Sequence, residues 1–154
     1  MGKSTDAVFL YKKTEKLHAL GVPFVSEGSL RAEGHAKTPD VKLELPIAVR
    51  GRVVNWIDSK ASFCDPIVHY EKGEYIFIFI PVFYVMAIRL TSCYLTGTEQ
   101  FQAYVDRFGP GMVVYWLGVV DEIAEESARR GDVLLVDDFP DESEVTKLKL
   151  MPAR

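Results

Sequence analysis

The sequence predicts an α/β fold with three layers, in which a mixed central sheet is flanked by helices. Three observations lead there. Stretches with helical period and stretches with strand period alternate along the chain, in the order helices, hairpin, helix, strand, helix, strand. Residues 112–117 (MVVYWL) and 133–136 (VLLV) are apolar throughout, as strands buried on both faces are. Residues 41–57 carry two extended runs about an Arg50-Gly51 turn, the pattern of a hairpin. At 154 residues the chain is long enough for one domain with a real core.

Each element follows from its residues. Over 6–20 (DAVFLYKKTEKLHAL), apolar residues stand at 7, 8, 10, 11, 17 and 20 with charges between. That spacing predicts an amphipathic helix, stopped by Gly21 and Pro23. Ser26, followed by Ser29, Leu30 and Glu33, predicts a capped second helix ending at Gly34. Val41, Leu43 and Leu45 alternate with Lys42 and Glu44, and Val53 to Ile57 forms the return strand. Pro46 is expected at a sheet edge or a strand end. Residues 99–108 place Phe101, Tyr104, Val105 and Phe108 on one helical face, and Gly109-Pro110-Gly111 ends that helix. Residues 121–130 begin acidic and end basic, as the helix dipole favours, and Gly131 caps them. The tail from Asp137 has weak periodicity. The expected division is an N-terminal helical segment 1–23, a main domain 24–139 and a tail 140–154.

Composition excludes several function classes. Hydrophobic residues make up 48% of the chain, too many for a disordered protein. Eighteen basic and 22 acidic residues leave a net charge of −4. That excludes a strongly basic nucleic-acid coat, though not a local basic groove; with basic stretches available for phosphates only at 12–16, 50–52 and 129–130, the charge slightly favours a protein-binding role over action on nucleic acid. Two cysteines, Cys64 and Cys93, make no disulfide framework. The first residues have no continuous apolar signal core. A reducing interior, cytosol or nucleus, is expected. Cys64-x4-His69 reads as a buried thiol near a surface imidazole, because no second ligand pair follows at zinc spacing.

One segment departs from this composition. Residues 73–97 hold 17 hydrophobic residues, six of them aromatic. Tyr75 to Ile88 runs 14 residues without a charge, short of the roughly 20 that a membrane helix needs. Pro81 interrupts the run, and extension to Leu95 would take in Arg89, which makes a membrane anchor the costlier reading. The Ile, Phe, Tyr and Val content prefers strand to helix. The segment, bounded as an atypical insertion at 72–98, also reads as translated intron. Gly73-Glu74-Tyr75 is encodable by GGTGAGTAT, which contains a donor-like GTGAGT, and Thr96-Gly97 permits an acceptor-like end.

The chemistry sits at the strand ends. Pro39-Asp40 opens the first hairpin strand, and Asp58-Ser59-Lys60 closes the second. A hairpin brings Asp40 and Asp58 to one end of the sheet, where two carboxylates make a hard-oxygen site for Mg²⁺ or Mn²⁺. Residues 58 and 60 share a strand face, so the Lys60 ammonium stands beside the ion, placed to orient water and offset phosphate charge. The Ser59 carbonyl between them is a further metal ligand candidate. This set suits phosphodiester hydrolysis. The plainer reading makes Asp40 a turn cap after Pro39, and Asp58 with Lys60 a surface pair worth little.

The runs TPDV (38–41), WIDSKASF (56–63) and FGPGMVVYW (108–116), with Asn55, resemble the TPD-motif family of codanin-interacting nuclease-like proteins. That family is assigned to the PD-(D/E)xK nuclease superfamily, near the Holliday-junction resolvases. The resemblance covers about Phe24 to Val136, with 73–97 outside it. It implies a restriction-endonuclease-like fold, Mg²⁺ dependence, a DNA substrate that includes branched forms, a codanin-like partner, and residence in the nucleus with the cytoplasm as a second compartment. Resolvase-like relatives also suggest a homodimer. Carried across, Asp40, Asp58 and Lys60 form the catalytic trio, with Asp at position 58 where the family more often has Glu. Gln100 and Tyr104 resemble the QxxxY helix that contacts DNA and supports the site; equally, Tyr104 is core and Gln100 a solvated polar residue. Glu27 and Glu33 are both candidates for an additional upstream acid. Relatives carry a longer helical N-terminal region than this chain.

Three functions are therefore weighed: a metal-dependent nuclease domain acting on DNA; a non-catalytic nuclease-fold module that binds a codanin-like partner; and a membrane-anchored protein, the least favoured.

Overall fold

The computed structural model describes residues 5–61, 64 and 100–148, with side chains from residue 12 onward. The apolar run at 73–97, Cys93 and His69 lie outside the described residues, so the readings made on them are not addressed by it. The described chain forms a six-stranded mixed sheet with helices on both faces, the α/β architecture expected from the sequence.

Helix α1 (Thr5–Ala19) ends before Gly21, which takes a φ of 60°. Strand β1 (Phe24–Ser26) is too short to carry a periodic signal and was not anticipated. Helix α2 (Glu27–Ala32) is capped by Ser26, whose hydroxyl accepts from the Ser29 amide, and gives way to Gly34 at φ 86°. Strands β2 (Val41–Val49) and β3 (Arg52–Lys60) form the hairpin about Arg50-Gly51, both at positive φ. Helix α3 is described over 100–108. Strand β4 (Gly111–Tyr115) is buried at every position, as its unbroken apolar run requires. Helix α4 (Asp121–Arg130) and strand β5 (Val133–Val136) follow, with Gly131 left-handed between them at φ 86°.

Strand order is β1-β2-β3-β4-β5. The first three strands pair antiparallel, and β3, β4 and β5 run parallel. Pro46 is not at a strand end. It lies inside β2 within the register shift between Lys42 and Ile47, where its missing N–H interrupts no ladder bond. A sixth strand, β6 (Val145–Lys147), pairs with the second half of β2. It falls in the segment read as a tail, and three residues give no pattern to see.

The sheet separates two apolar layers. On one face Leu17 and Val22 pack with Val41, Leu43, Ile47, Val54, Ile57, Met112, Val114 and Val136. On the other Phe101 and Tyr104 of α3 and Ile123 of α4 pack with Trp56, Val113 and Tyr115. The N-terminal helix thus shares the core of the main domain. The motif residues Asn55-Trp56 and Gly109-Pro110-Gly111 interlock: Asn55 Nδ2 donates to the Pro110 carbonyl at 2.9 Å and Trp56 Nε1 to the Gly109 carbonyl at 2.8 Å. A Cβ on Gly111 would lie 2.0 Å from Trp56 Cε2, so only glycine admits the indole.

Candidate active site

The hairpin register sets the site. Val41 faces Ile57 across β2 and β3, so Asp40, one residue ahead of β2, meets the 58–60 end of β3. The Asp40 carboxylate is held by three donors on one oxygen. Oδ2 accepts the Ser59 amide at 2.9 Å, the Ser59 hydroxyl at 2.8 Å and the Lys13 ammonium at 2.5 Å. Oδ1 receives none of these bonds. Lys13 is completely buried and also donates to Ser59 Oγ at 3.0 Å. Burial by itself pushes the Asp40 carboxyl up, but the Lys13 charge and the bonds from Lys13 and Ser59 outweigh it and hold Asp40 below the ordinary carboxylate value.

Asp58 is placed differently. It is 3% exposed. The Lys60 ammonium lies 3.0 Å from Asp58 Oδ2. Yet that oxygen has no hydrogen-bond partner among the described residues: the contact has the distance of an ion pair without the direction of a hydrogen bond. Burial first, and then the negative charge of Asp40, push the Asp58 carboxyl up to about 6, and Lys60 offsets only part of this. Two carboxylates at one strand end therefore have their affinities for protons driven apart, an arrangement more common at functional sites than elsewhere.

The α3 residues complete the set. Lys60 Nζ reaches Gln100 Oε1 at a long 3.4 Å, Gln100 Nε2 donates to the Tyr104 hydroxyl at 2.6 Å, and that hydroxyl donates to the Thr38 carbonyl at 2.9 Å. The chain of contacts runs from Lys60 on β3, through α3, to the loop that carries Asp40. Burial foremost pushes the Tyr104 phenol up to about 12, so it is a donor at any ordinary pH. Tyr104 is both core and network: its ring packs edge-on against Trp56 at 5.2 Å.

Of the two upstream acids, Glu27 adjoins the site. Its amide donates to the Asp40 carbonyl at 2.9 Å, while its carboxylate pairs with Arg31 at 2.6 Å. Glu33 stands at the C-terminal end of α2, well exposed and 3.7 Å from His35. Asp40, Asp58, Ser59, Lys60, Gln100 and Tyr104 are thus gathered at one end of the sheet, with the Glu27 backbone beside them.

The donor set fits a hard divalent ion. Asp58 Oδ2 is buried with no hydrogen bond among the described residues to satisfy it, and Asp40 Oδ1 is left over by the three bonds to Oδ2. In an extended strand the N–H and C=O of one residue leave on the same edge, so the Ser59 carbonyl leaves on the edge from which its amide reaches Asp40. Among the described residues no group of three His, Cys, Asp or Glu side chains converges. Two carboxylates and one carbonyl nonetheless suit Mg²⁺, which keeps several waters.

Sequence reasoning did not single out Lys13. The signal was present: residues 10, 13, 17 and 20 follow helical spacing, so Lys13 stands in line with Leu17 on the buried stripe. The Ser59 hydroxyl and the Thr38 carbonyl were likewise not singled out, since neither type is distinctive in sequence.

The pattern of the family described as proteins of unknown function with the TPD sequence motif matches residues 4–78 and 91–139. The match extends upstream of Phe24 and also takes in 73–78 and 91–97, which the expected resemblance left outside; the residues it omits, 79–90, fall inside the apolar run. Among curated proteins, CDAN1-interacting nuclease 1 of Danio rerio is 38% identical over 140 residues, which covers 91% of this chain and 37% of the relative. The protein of the same name from Xenopus tropicalis is 40% identical over 127 residues, 82% of this chain and 33% of the relative. That from Homo sapiens is 38% identical over 117 residues, 76% and 32%. The chain spans about a third of the length of these relatives. No solved structure gives a significant match. Among the described residues no helix is long and apolar enough to cross a membrane. With both the TPDV and the FGPG runs inside the matched residues, and those runs forming the strand-end site and the turn that locks it, the chain belongs to the TPD sequence-motif family.

Proposed function

We propose that this chain is a metal-dependent nuclease domain of PD-(D/E)xK type that hydrolyses phosphodiester bonds in DNA, including branched DNA. The observation that carries the reading is the meeting of Asp40, Asp58 and Lys60 at one end of the β2–β3 hairpin, with buried Asp58 Oδ2 lacking a hydrogen bond among the described residues. Asp40, Asp58 and the Ser59 carbonyl would hold Mg²⁺ or Mn²⁺. Such an ion, when bound, stabilises the charge that builds on the phosphate oxygens. Lys60 orients the attacking water and faces the phosphate charge. The water oxygen bonds to phosphorus and releases one proton to solvent, the bond from phosphorus to the departing oxygen breaks, and that oxygen takes up one proton from solvent, so the step balances as hydrolysis. Gln100 and Tyr104 keep Lys60 aligned. The relatives' name supports both the nuclease reading and a codanin-like partner, and nuclear residence would bring the domain to its substrate. Cleavage of branched and linear DNA with Mg²⁺, against the same reaction with EDTA, is the test; no metal-dependent cleavage of either would refute the reading.

A second reading is favoured by one observation. The buried Lys13–Asp40 pair already neutralises one of the two carboxylates. In this reading the nuclease fold is a non-catalytic module for a codanin-like partner. It predicts partner capture that survives Asp58→Ala, together with no cleavage.

A further inference from the structure

Lys13 is a buried charge at the site that the proposed hydrolysis does not use. Placing an ammonium group wholly out of water is costly unless it is paired and hydrogen-bonded. Both conditions are met here by the site itself. Lys13 Nζ bonds Asp40 Oδ2 at 2.5 Å and Ser59 Oγ at 3.0 Å, and its side chain is completely buried. It comes from α1, and its partners come from the loop before β2 and from the end of β3. The helix thus delivers a fixed positive charge to one side of the carboxylate pair. Asp58, on the other strand face, is paired with Lys60, and its Oδ2 has no hydrogen bond among the described residues.

We propose that Lys13 is a resident cation of this site: its ammonium occupies the Asp40 Oδ2–Ser59 side that a second divalent ion would need, so the site takes a single Mg²⁺-class ion. This rests on the metal-dependent reading and deepens it. A hydrogen-bonded oxygen with three donors has no lone pair left for a metal. A second double charge beside a buried ammonium would also meet repulsion that water cannot screen. The same charge weakens the one ion that does bind, because Asp40 divides its negative charge between Lys13 and the metal.

The experiment is a Mn²⁺ titration of the 154-residue chain, counting bound ions from the loss of the free-ion EPR signal and counting only those removed by Asp58→Asn. The expected result is one ion per chain. In Lys13→Met, which keeps the length of the buried stem without its charge, Mn²⁺ binding should tighten by at least about tenfold. Two ions per wild-type chain, or Mn²⁺ binding that is unchanged or weaker in a folded Lys13→Met, would overturn the inference and leave the nuclease reading standing. No Mn²⁺ binding at all would overturn both. The wild-type count decides the matter even if Lys13→Met does not fold.

Discussion

Asp58 and Lys60 lie on the same face of β3, with Oδ2 and Nζ 3.0 Å apart, and still the Asp58 oxygen receives no hydrogen bond among the described residues. A buried carboxylate kept in this state is destabilising in the ionised form. In the proposed reading, the same feature leaves this oxygen a lone pair for a metal ion beside Lys60.

The first consequence is a pH dependence of stability. Asp58 has its folded value raised from 3.8 to about 6, so between those pH values the folded protein holds a proton that the unfolded chain has released. The Asp58 contribution to stability therefore falls as pH rises from about 4 to about 6. Asp58→Asn imitates the protonated acid and removes this loss. Metal-free denaturation at pH 7 should find Asp58→Asn more stable than wild type by about 3 kcal/mol, with the difference vanishing near pH 4. Asp40, whose value is lowered, acts the opposite way: its contribution is present above pH 4 and is lost on acidification below it.

Tyr104→Phe should separate network from core. The substitution keeps the ring against Trp56 and removes the hydroxyl that links Gln100 to the Thr38 carbonyl. Urea denaturation should show a loss of about 1–2 kcal/mol, the cost of leaving a buried acceptor unpaired. If the network aligns Lys60, the cleavage rate should fall as well, with DNA affinity little changed.

Gly111→Ala tests the lock between the turn and the site strand. The new methyl would overlap the Trp56 indole at 2.0 Å, and Trp56 is fully buried with its Nε1 bonded to the Gly109 carbonyl. A loss of about 3 kcal/mol is expected in chemical denaturation, against a negligible change for the exposed Leu117→Ala.

The sequence between Lys60 and Gln100 makes a prediction at the level of the message. The family match omits residues 79–90, and the apolar run extends beyond them to 73 and 97. Transcript sequencing across codon 73 should reveal a message that lacks this segment. A locus with only the continuous message would dispose of the intron reading.

Periodicity made most of the framework legible. Helices α1, α3 and α4, the hairpin and strands β4 and β5 all bury enough apolar surface for the pattern to declare itself. The three-residue strands β1 and β6 did not, because their place is decided by the edge of β2 rather than by their own residues. At the site, Asp40, Asp58 and Lys60 drew attention by their places at the strand ends and by the resemblance to the TPD-motif family, and Gln100 with Tyr104 by that resemblance. Lys13 was hidden by its charge. A lysine on a helix reads as solvated unless its partner is known, and the partner here is 27 residues away.

The most direct test compares cleavage of branched and linear DNA by wild type, Asp58→Ala and Lys60→Ala, each shown by circular dichroism to be folded, with Mg²⁺ present. The account predicts that wild type cleaves and that each variant loses at least about a hundredfold in rate. Equal rates in all three would contradict the assignment of the site to these residues.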